Sequence, residues 1–334
     1  MSIKALFRKE WKQSWVLLTM ITLLFIFLYP MRTFLGLNDW RERVNDPYFY
    51  PQYEVPAIFG VSMTAMMILI FLVLLAVQFL GTERNTRRHD FAFALPFKRR
   101  TMFFVKWLFG VGTVTVAMLV TFTIAYAVIM GSEFAIYLDG NQFWDMFLSP
   151  WLGYIAMYSF TLFIGTITGE MVSQIVLTFI FTIFPIGFIA LLANFISTHT
   201  GSFPENLDIF FFQQFVWPIY NFAGMTAADA GLNLWIPAVA IVLFLTVGAW
   251  LYERNPSEYN GEFLLFKRLE PLFRIGIITC FSLFGGMIVA GLVPFTLSEG
   301  TKIIFYWLGF FLFLVLSFFF TKRLFAMNIT VKGK

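Results

Sequence analysis

The stretch ERNTRRHDFAFALPFKRRTMFFVK, Glu83–Lys106, decides the architecture. Two long apolar runs flank it, Ala57–Leu80 before and Thr101–Met130 after. Between them stand Glu83, Arg84, Arg87, Arg88, His89, Asp90, the dipeptide Leu95-Pro96, then Lys98, Arg99, Arg100 and Lys106. So dense a set of charges cannot sit in hydrocarbon, where each ion and each unpaired backbone group is costly. The segment is therefore a water-facing loop between two membrane spans, and its mixture of charges and aromatics suits a docking surface.

Composition agrees. Hydrophobic residues make up 59% of the 334 and charged residues only 13%, about half the usual share in soluble domains. The mean hydropathy is +0.79. The 46 Phe and ten Trp add amphipathic rings, and the Trp gather near the ends of apolar runs, where such rings favour the membrane interface. Cys280 is the only cysteine, so no intramolecular disulfide can form. The charged start, Met1–Trp15, and the lack of a small-residue cleavage site after it argue against a cleavable signal peptide.

About 20 apolar residues cross the hydrocarbon core as a helix. Eight runs qualify: Trp15–Phe34, Ala57–Leu80, Thr101–Met130, Phe143–Thr168, Met171–Ile196, Leu234–Leu251, Leu272–Val293 and Ile303–Phe320. The fourth and fifth form a tight hairpin around Gly169-Glu170. With the N-terminus inside, nineteen of the 23 Lys and Arg face the cytoplasm, and only Arg32, Arg41, Arg43 and Lys302 do not. The positive-inside rule thus predicts an N-in, C-in protein, and an odd number of spans would break the segregation. The net charge of +4 reflects this topology and implies no nucleic-acid partner.

Residues 3–15, IKALFRKEWKQSW, place Ile3, Phe7, Trp11 and Trp15 at every fourth position with Lys4, Arg8, Lys9 and Lys12 around them. This pattern predicts an amphipathic helix, residues 1–14, lying on the inner leaflet before the first span. The external loop Ser197–Asn233 lacks Lys and Arg and holds the aromatic run Ile209–Phe222. It is too short to cross and return, so one or two short helices dipping into the outer leaflet or capping the bundle are expected. Gly165 and Gly169 have GxxxG spacing, which can bring helices together.

Several chemistries lack their residues. No apolar run carries an ionisable residue near its middle, which argues against a proton- or sodium-coupled carrier and an intramembrane aspartyl or metalloprotease. No HExxH, GxSxG or GxxxxGK[ST] occurs, so zinc hydrolysis, a serine nucleophile elbow and a resident P-loop are not expected.

The layout resembles the type-2 ATP-binding cassette (ABC) exporter permeases. A surface helix precedes span one, a charged loop joins spans two and three, spans four and five form a hairpin, and a re-entrant segment follows span five. The family's loose signature, a Glu followed by Leu-Pro and a basic stretch, is matched by Glu83, Leu95, Pro96 and Lys98–Arg100. Where the family carries a Gly soon after the Glu, this chain has Thr86, Arg87 and Arg88. Residues 252–334 add two spans, with a connecting loop similar to that of Gram-positive acetoin-utilisation-type permeases.

The resemblance implies an all-α, polytopic helix bundle in a bacterial plasma membrane. Residues 15–251 form a six-span core with a coupling loop at 81–106 and an external re-entrant segment at 197–233, and residues 252–334 supply a cytoplasmic loop and two more spans. It implies a non-enzymatic transport subunit with no cofactor of its own, ATP and Mg being held by a separate cytoplasmic P-loop ATPase. A second permease copy or paralogue and membrane lipids complete the partners. The coupling residues would be Glu83, Arg84, Arg87, Arg88, Asp90, Phe93, Leu95 and Pro96, with Glu170 as a second contact. Apolar side chains would anchor the loop and charges orient it, while Pro96 sets the angle into span three. Two other readings stand beside it: a non-transporting antimicrobial sensor or immunity subunit that binds through the 197–233 loop, and a lipid-modifying membrane enzyme built on Glu83, His89 and Asp90.

Overall fold

The computed structural model describes residues 3–60, 62–85, 97–138, 143–204, 207–221, 230–256, 258, 260–294 and 298–326. Helix is the only regular structure among them. Eight helices are long and apolar enough to cross a membrane, so the chain is an all-α polytopic bundle. Two compact units emerge. The first comprises Met1–Thr166 and Trp217–Asn255, the second Ile167–Val216 and Pro256–Lys334.

Unit one starts with α1, Ile3–Ile26. A wide π-turn, Phe27–Met31, carries it past Pro30 into α2, Arg32–Arg43. Proline lacks the N–H an α-turn needs and crowds the preceding turn, and the wider turn absorbs both. The resulting 40-residue rod is about 60 Å long at 1.5 Å per residue, roughly twice the hydrocarbon thickness. Residues 3–14 share its axis, with no turn between them and the first span. The buried stripe of α1 is Leu6, Glu10, Ser14, Leu18, Ile21 and Phe25, the i, i+4 spacing of one helix face. Trp11 and Trp15 are largely exposed, so the buried stripe is offset from the aromatic stripe legible in the sequence. Of that aromatic stripe, Phe7 meets the Phe109 ring tilted and Trp11 meets it edge-on.

After the short α3, Pro51–Ala57, the second span starts at Met63 rather than Ala57. Arg32 explains the delay: its guanidinium donates to the carbonyls of Ile58 (3.0 Å) and Gly60 (3.3 Å). Ser62 then caps α4, Met63–Val77, by accepting from the Ala65 amide at 3.1 Å. A second π-turn, Gln78–Thr82, leads to a helical turn, Glu83–Asn85. The remaining long helices of the unit are α5, Arg99–Met130, α6, Phe143–Ile167, and α9, Trp235–Glu253, numbered after two helices of unit two.

A 3-10 turn from the aromatic segment, Trp217–Asn221, also belongs to unit one. Trp217, Tyr220 and Asn221 are buried there. Ser149 Oγ donates to the Tyr220 carbonyl at 2.9 Å, and Trp217 meets Phe160 and Phe244. Gly153 makes the approach feasible, because a Cβ on it would lie 2.7 Å from Asn221 Nδ2. The segment is apolar because it packs against α6.

Unit two contains α7, Met171–Thr200, the short α8, Ile209–Gln213, then α10, Glu270–Gly291, and α11, Glu299–Ala326. Gly201 ends α7 in the left-handed region (φ +71°). Small residues set the α10–α11 contact. A Cβ on Gly309 would come within 2.4 Å of the Gly285 carbonyl, and one on Gly286 within 2.6 Å of the Tyr306 ring. Such close approach suits membranes, where dispersion replaces hydrophobic driving force. The Gly165/Gly169 pair does not share a helix, since α6 stops at Ile167. The Gly169 carbonyl instead accepts from the Gly261 amide at 2.9 Å.

Candidate functional site: a buried ion cluster at the root of the cationic loop

Three helices of unit one converge where the cationic loop begins. From α1 come Lys9 and Glu10, from the turn after α4 comes Glu83, and from the second turn of α5 comes Lys106. Lys106 continues the buried stripe Met102, Phe103, Lys106, Gly110, Val114, a charged residue at a core position. Its Nζ lies 3.0 Å from Glu83 Oε2 and 3.2 and 3.3 Å from the two oxygens of Glu10. Lys9 Nζ donates to Glu83 Oε1 at 2.8 Å and stands 3.6 Å from Glu10. Two cations and two anions alternate around a closed circuit with no net charge.

Glu10, Glu83 and Lys106 are out of water, and only Lys9 reaches solvent. Burial of an ion costs several kcal/mol even after relaxation, so such a set is stable only when each member is compensated. Burial alone would raise the Glu83 carboxyl, but the ammonium groups of Lys106 and Lys9 outweigh it and hold Glu83 below the usual carboxylate range. The Phe79 ring lies 5.4 Å from Lys106 Nζ and adds a cation–π contact. Beneath the cluster, Tyr158 donates its hydroxyl to the Lys106 carbonyl at 2.8 Å. Gly110 leaves room for that ring.

The neighbouring loop residues are also tied down. Arg84 is buried and donates to the Gly165 carbonyl at the end of α6. Burial lowers its guanidinium to about 10, so it stays charged at neutral pH. On the far side, Arg99 Nη1 donates to the Asn255 carbonyl at 3.0 Å, and Arg100 Nε pairs with Glu253 at 2.6 Å. Both roots of the loop are thus fastened to the same unit, through α1 and α6 at its start and α9 at its end. The cluster is a rigid electrostatic brace; among the described residues, no group of three His, Cys, Asp or Glu gathers to hold a metal.

No family model and no solved structure matches the chain. Two curated proteins of Bacillus subtilis (strain 168) do. "Probable ABC transporter permease YtrC" is 25% identical over 309 residues, covering 84% of this chain and 87% of the relative. "Probable ABC transporter permease YtrD" is 27% identical over 305 residues, covering 87% and 88%. Over most of its length the chain is therefore similar to proteins named as probable ABC transporter permeases. Coverage of 84% of 334 residues is more than residues 1–251 can supply. The match therefore reaches into residues 252–334.

Of the residues expected at the coupling site, Glu83 and Arg84 stand in and beside the brace. Arg87, Arg88, Asp90, Phe93, Leu95 and Pro96 lie outside the described residues. Glu170 belongs to unit two. It is buried just before α7, where Ser173 Oγ approaches one carboxylate oxygen at 3.4 Å and the other has no hydrogen-bond partner. Burial raises its carboxyl above the usual range. Three members of the brace, Lys9, Glu10 and Lys106, were not among the expected site residues. Two signals pointed to them: Glu10 is the one acid in the basic N-terminal segment, and Lys106 interrupts an otherwise apolar run.

Proposed function

We propose that this permease is the membrane subunit of an ATP-driven exporter of the type-2 class, moved by a separate cytoplasmic P-loop ATPase that grips the loop at 86–96. The observation that carries the reading is the Glu83–Lys106 ion pair with its neighbours Lys9 and Glu10. A load applied to a loop with such roots is delivered to α1, α4 and α5 together, and buried charge pairs resist shear because separating them exposes an uncompensated ion. Arg87, Arg88 and Asp90 orient the partner, and Phe93, Leu95 and Pro96 anchor it. Glu170, lying under the surface, shapes the hairpin before α7. ATP and Mg reside on the ATPase, both termini of the permease are cytoplasmic, and a second permease copy or paralogue completes the transport path.

The test is co-expression with the candidate ATPase, extraction in mild detergent, and reconstitution. An ATPase chain should co-purify, and Arg87→Ala with Leu95→Asp should abolish its retention. Glu83→Gln should leave the ATPase bound but reduce transport per ATP hydrolysed. If no ATPase co-purifies, or if all three substitutions leave transport intact, the coupling reading fails.

A further inference from the structure

Within unit two, α7 and α10 run side by side and leave a groove of about 530 Å³ lined by Ile183, Phe184, Phe188, Phe284 and Met287. Gly187 deepens it, since a Cβ there would have nothing within 4 Å. A second cavity, about 470 Å³, adjoins it at the end of α7 and is polar, with Asn194, Ser197, Thr198, Glu299 and Lys302 in its wall. Met287 lines both, so the apolar groove and the polar cavity adjoin there, the two together being termed a trough. Each volume is within the range of small-molecule sites.

Depth assigns the two halves. The 30 residues of α7 span about 45 Å, the full thickness of a bilayer with its headgroups. The groove at 183–191 therefore falls among acyl chains and the polar cavity at 194–201 among headgroups. Charge then selects the headgroup. Glu299 and Lys302, three apart in the first turn of α11, share a helix face and both line the polar cavity, so its wall carries one acid and one base. That pair complements an amine and a phosphate carried together, and opposes a purely anionic headgroup. Asn194 Oδ1, buried in the same wall, has no hydrogen-bond partner and is an acceptor suited to an amine.

We propose that this trough binds a bilayer phospholipid with an amine-bearing zwitterionic headgroup, of the phosphatidylethanolamine class. One acyl chain lies between α7 and α10, the phosphate faces Lys302, and the amine faces Glu299 and Asn194. The site stands independently of the transport assignment, since it uses neither the loop nor the ion cluster.

The experiment uses the full chain in mild detergent with an equimolar mixture of phosphatidylethanolamine and phosphatidylglycerol of identical acyl chains. Native mass spectrometry counts the lipid retained. Cys280, the one cysteine, lines the groove, so its alkylation by N-ethylmaleimide reports occupancy separately. Phosphatidylethanolamine should be retained in preference and should slow alkylation. Glu299→Gln should cut the preference roughly threefold to fivefold, the scale of an exposed charge pair, and Gly187→Phe should abolish retention. Should Gly187→Phe fail to fold, Glu299→Gln alone decides, because its side chain is exposed. Equal retention of both lipids, retention unchanged in Gly187→Phe, or a preference unchanged in Glu299→Gln overturns the proposal.

Discussion

Lys106 Nζ sits 3.0 Å from Glu83 Oε2, and neither side chain touches water. The two residues flank the cationic loop, so their contact closes the chain on itself at the loop's base. Glu10 and Lys9 balance the remaining charge. Removal of Lys106 therefore leaves two buried carboxylates sharing the single cation of Lys9. Lys106→Met should destabilise the protein by about 3–5 kcal/mol, the cost of breaking a buried pair. Adding Glu83→Gln should restore part of that loss, so the double variant falls short of the sum of the singles. Thermal unfolding in detergent measures both, and strict additivity would refute the pairing.

Acid should act on this cluster through Glu83. Its carboxylate is held below the usual range by the Lys106 and Lys9 ammonium groups against the opposing effect of burial. The folded state thus binds protons less readily than the unfolded chain. Its stabilising contribution is present above about pH 4.3, the unperturbed value, and is lost as pH falls through the lowered folded value. Melting temperature measured against pH should drop on the acid side, and Glu83→Gln should flatten that drop.

Glu170 carries the opposite sign. Burial raises its carboxyl, with Ser173 only partly offsetting it. The protonated form is favoured on folding, so this contribution is present below about pH 4.3 and is lost as pH rises through the raised value. Glu170→Gln should therefore melt above the wild type at neutral pH, with the difference vanishing in acid. A variant that melts lower at neutral pH would show that the ionised carboxylate has a stabilising partner.

The α10–α11 contact depends on missing side chains. Gly309→Ala would set a Cβ against the Gly285 carbonyl and Val289, an overpacking cost of about 1–3 kcal/mol. Gly187→Ala meets nothing within 4 Å and should melt like the wild type. Equal melting of both variants would mean that the two helices separate more readily than their packing implies.

Orientation is testable on two exposed residues at opposite ends of the spans. Glu133 pairs with Arg41 at 2.6 Å, with about half of each side chain exposed, and Arg254 stands beyond the end of α9. In a Cys280→Ser background, an impermeant thiol reagent applied to intact cells should label Glu133→Cys and spare Arg254→Cys. The reverse pattern would invert the topology and remove the loop from a cytoplasmic motor's reach.

The eight spans were legible because the helical signal is additive along the chain: some 20 apolar residues in a row suffice, and no distant partner alters the sum. Errors arose where a third element intervened. The second span starts late because Arg32 occupies the carbonyls of Ile58 and Gly60. The GxxxG spacing gave no shared helix face because α6 ends at Ile167, whereas the intimate contact occurs at Gly285, Gly286 and Gly309.

Composition and charge order alone suffice for the membrane class and for the eight helices long enough to cross, because lipid imposes those constraints locally and without regard to neighbours. The face of α1 that packs, and the ions that brace the loop, required the folded arrangement. Lys9 and Glu83 are 74 positions apart, and Glu10 and Lys106 are 96 apart. A buried charge is tolerable only beside its counter-ion, and no periodicity within one helix reveals a partner supplied by another.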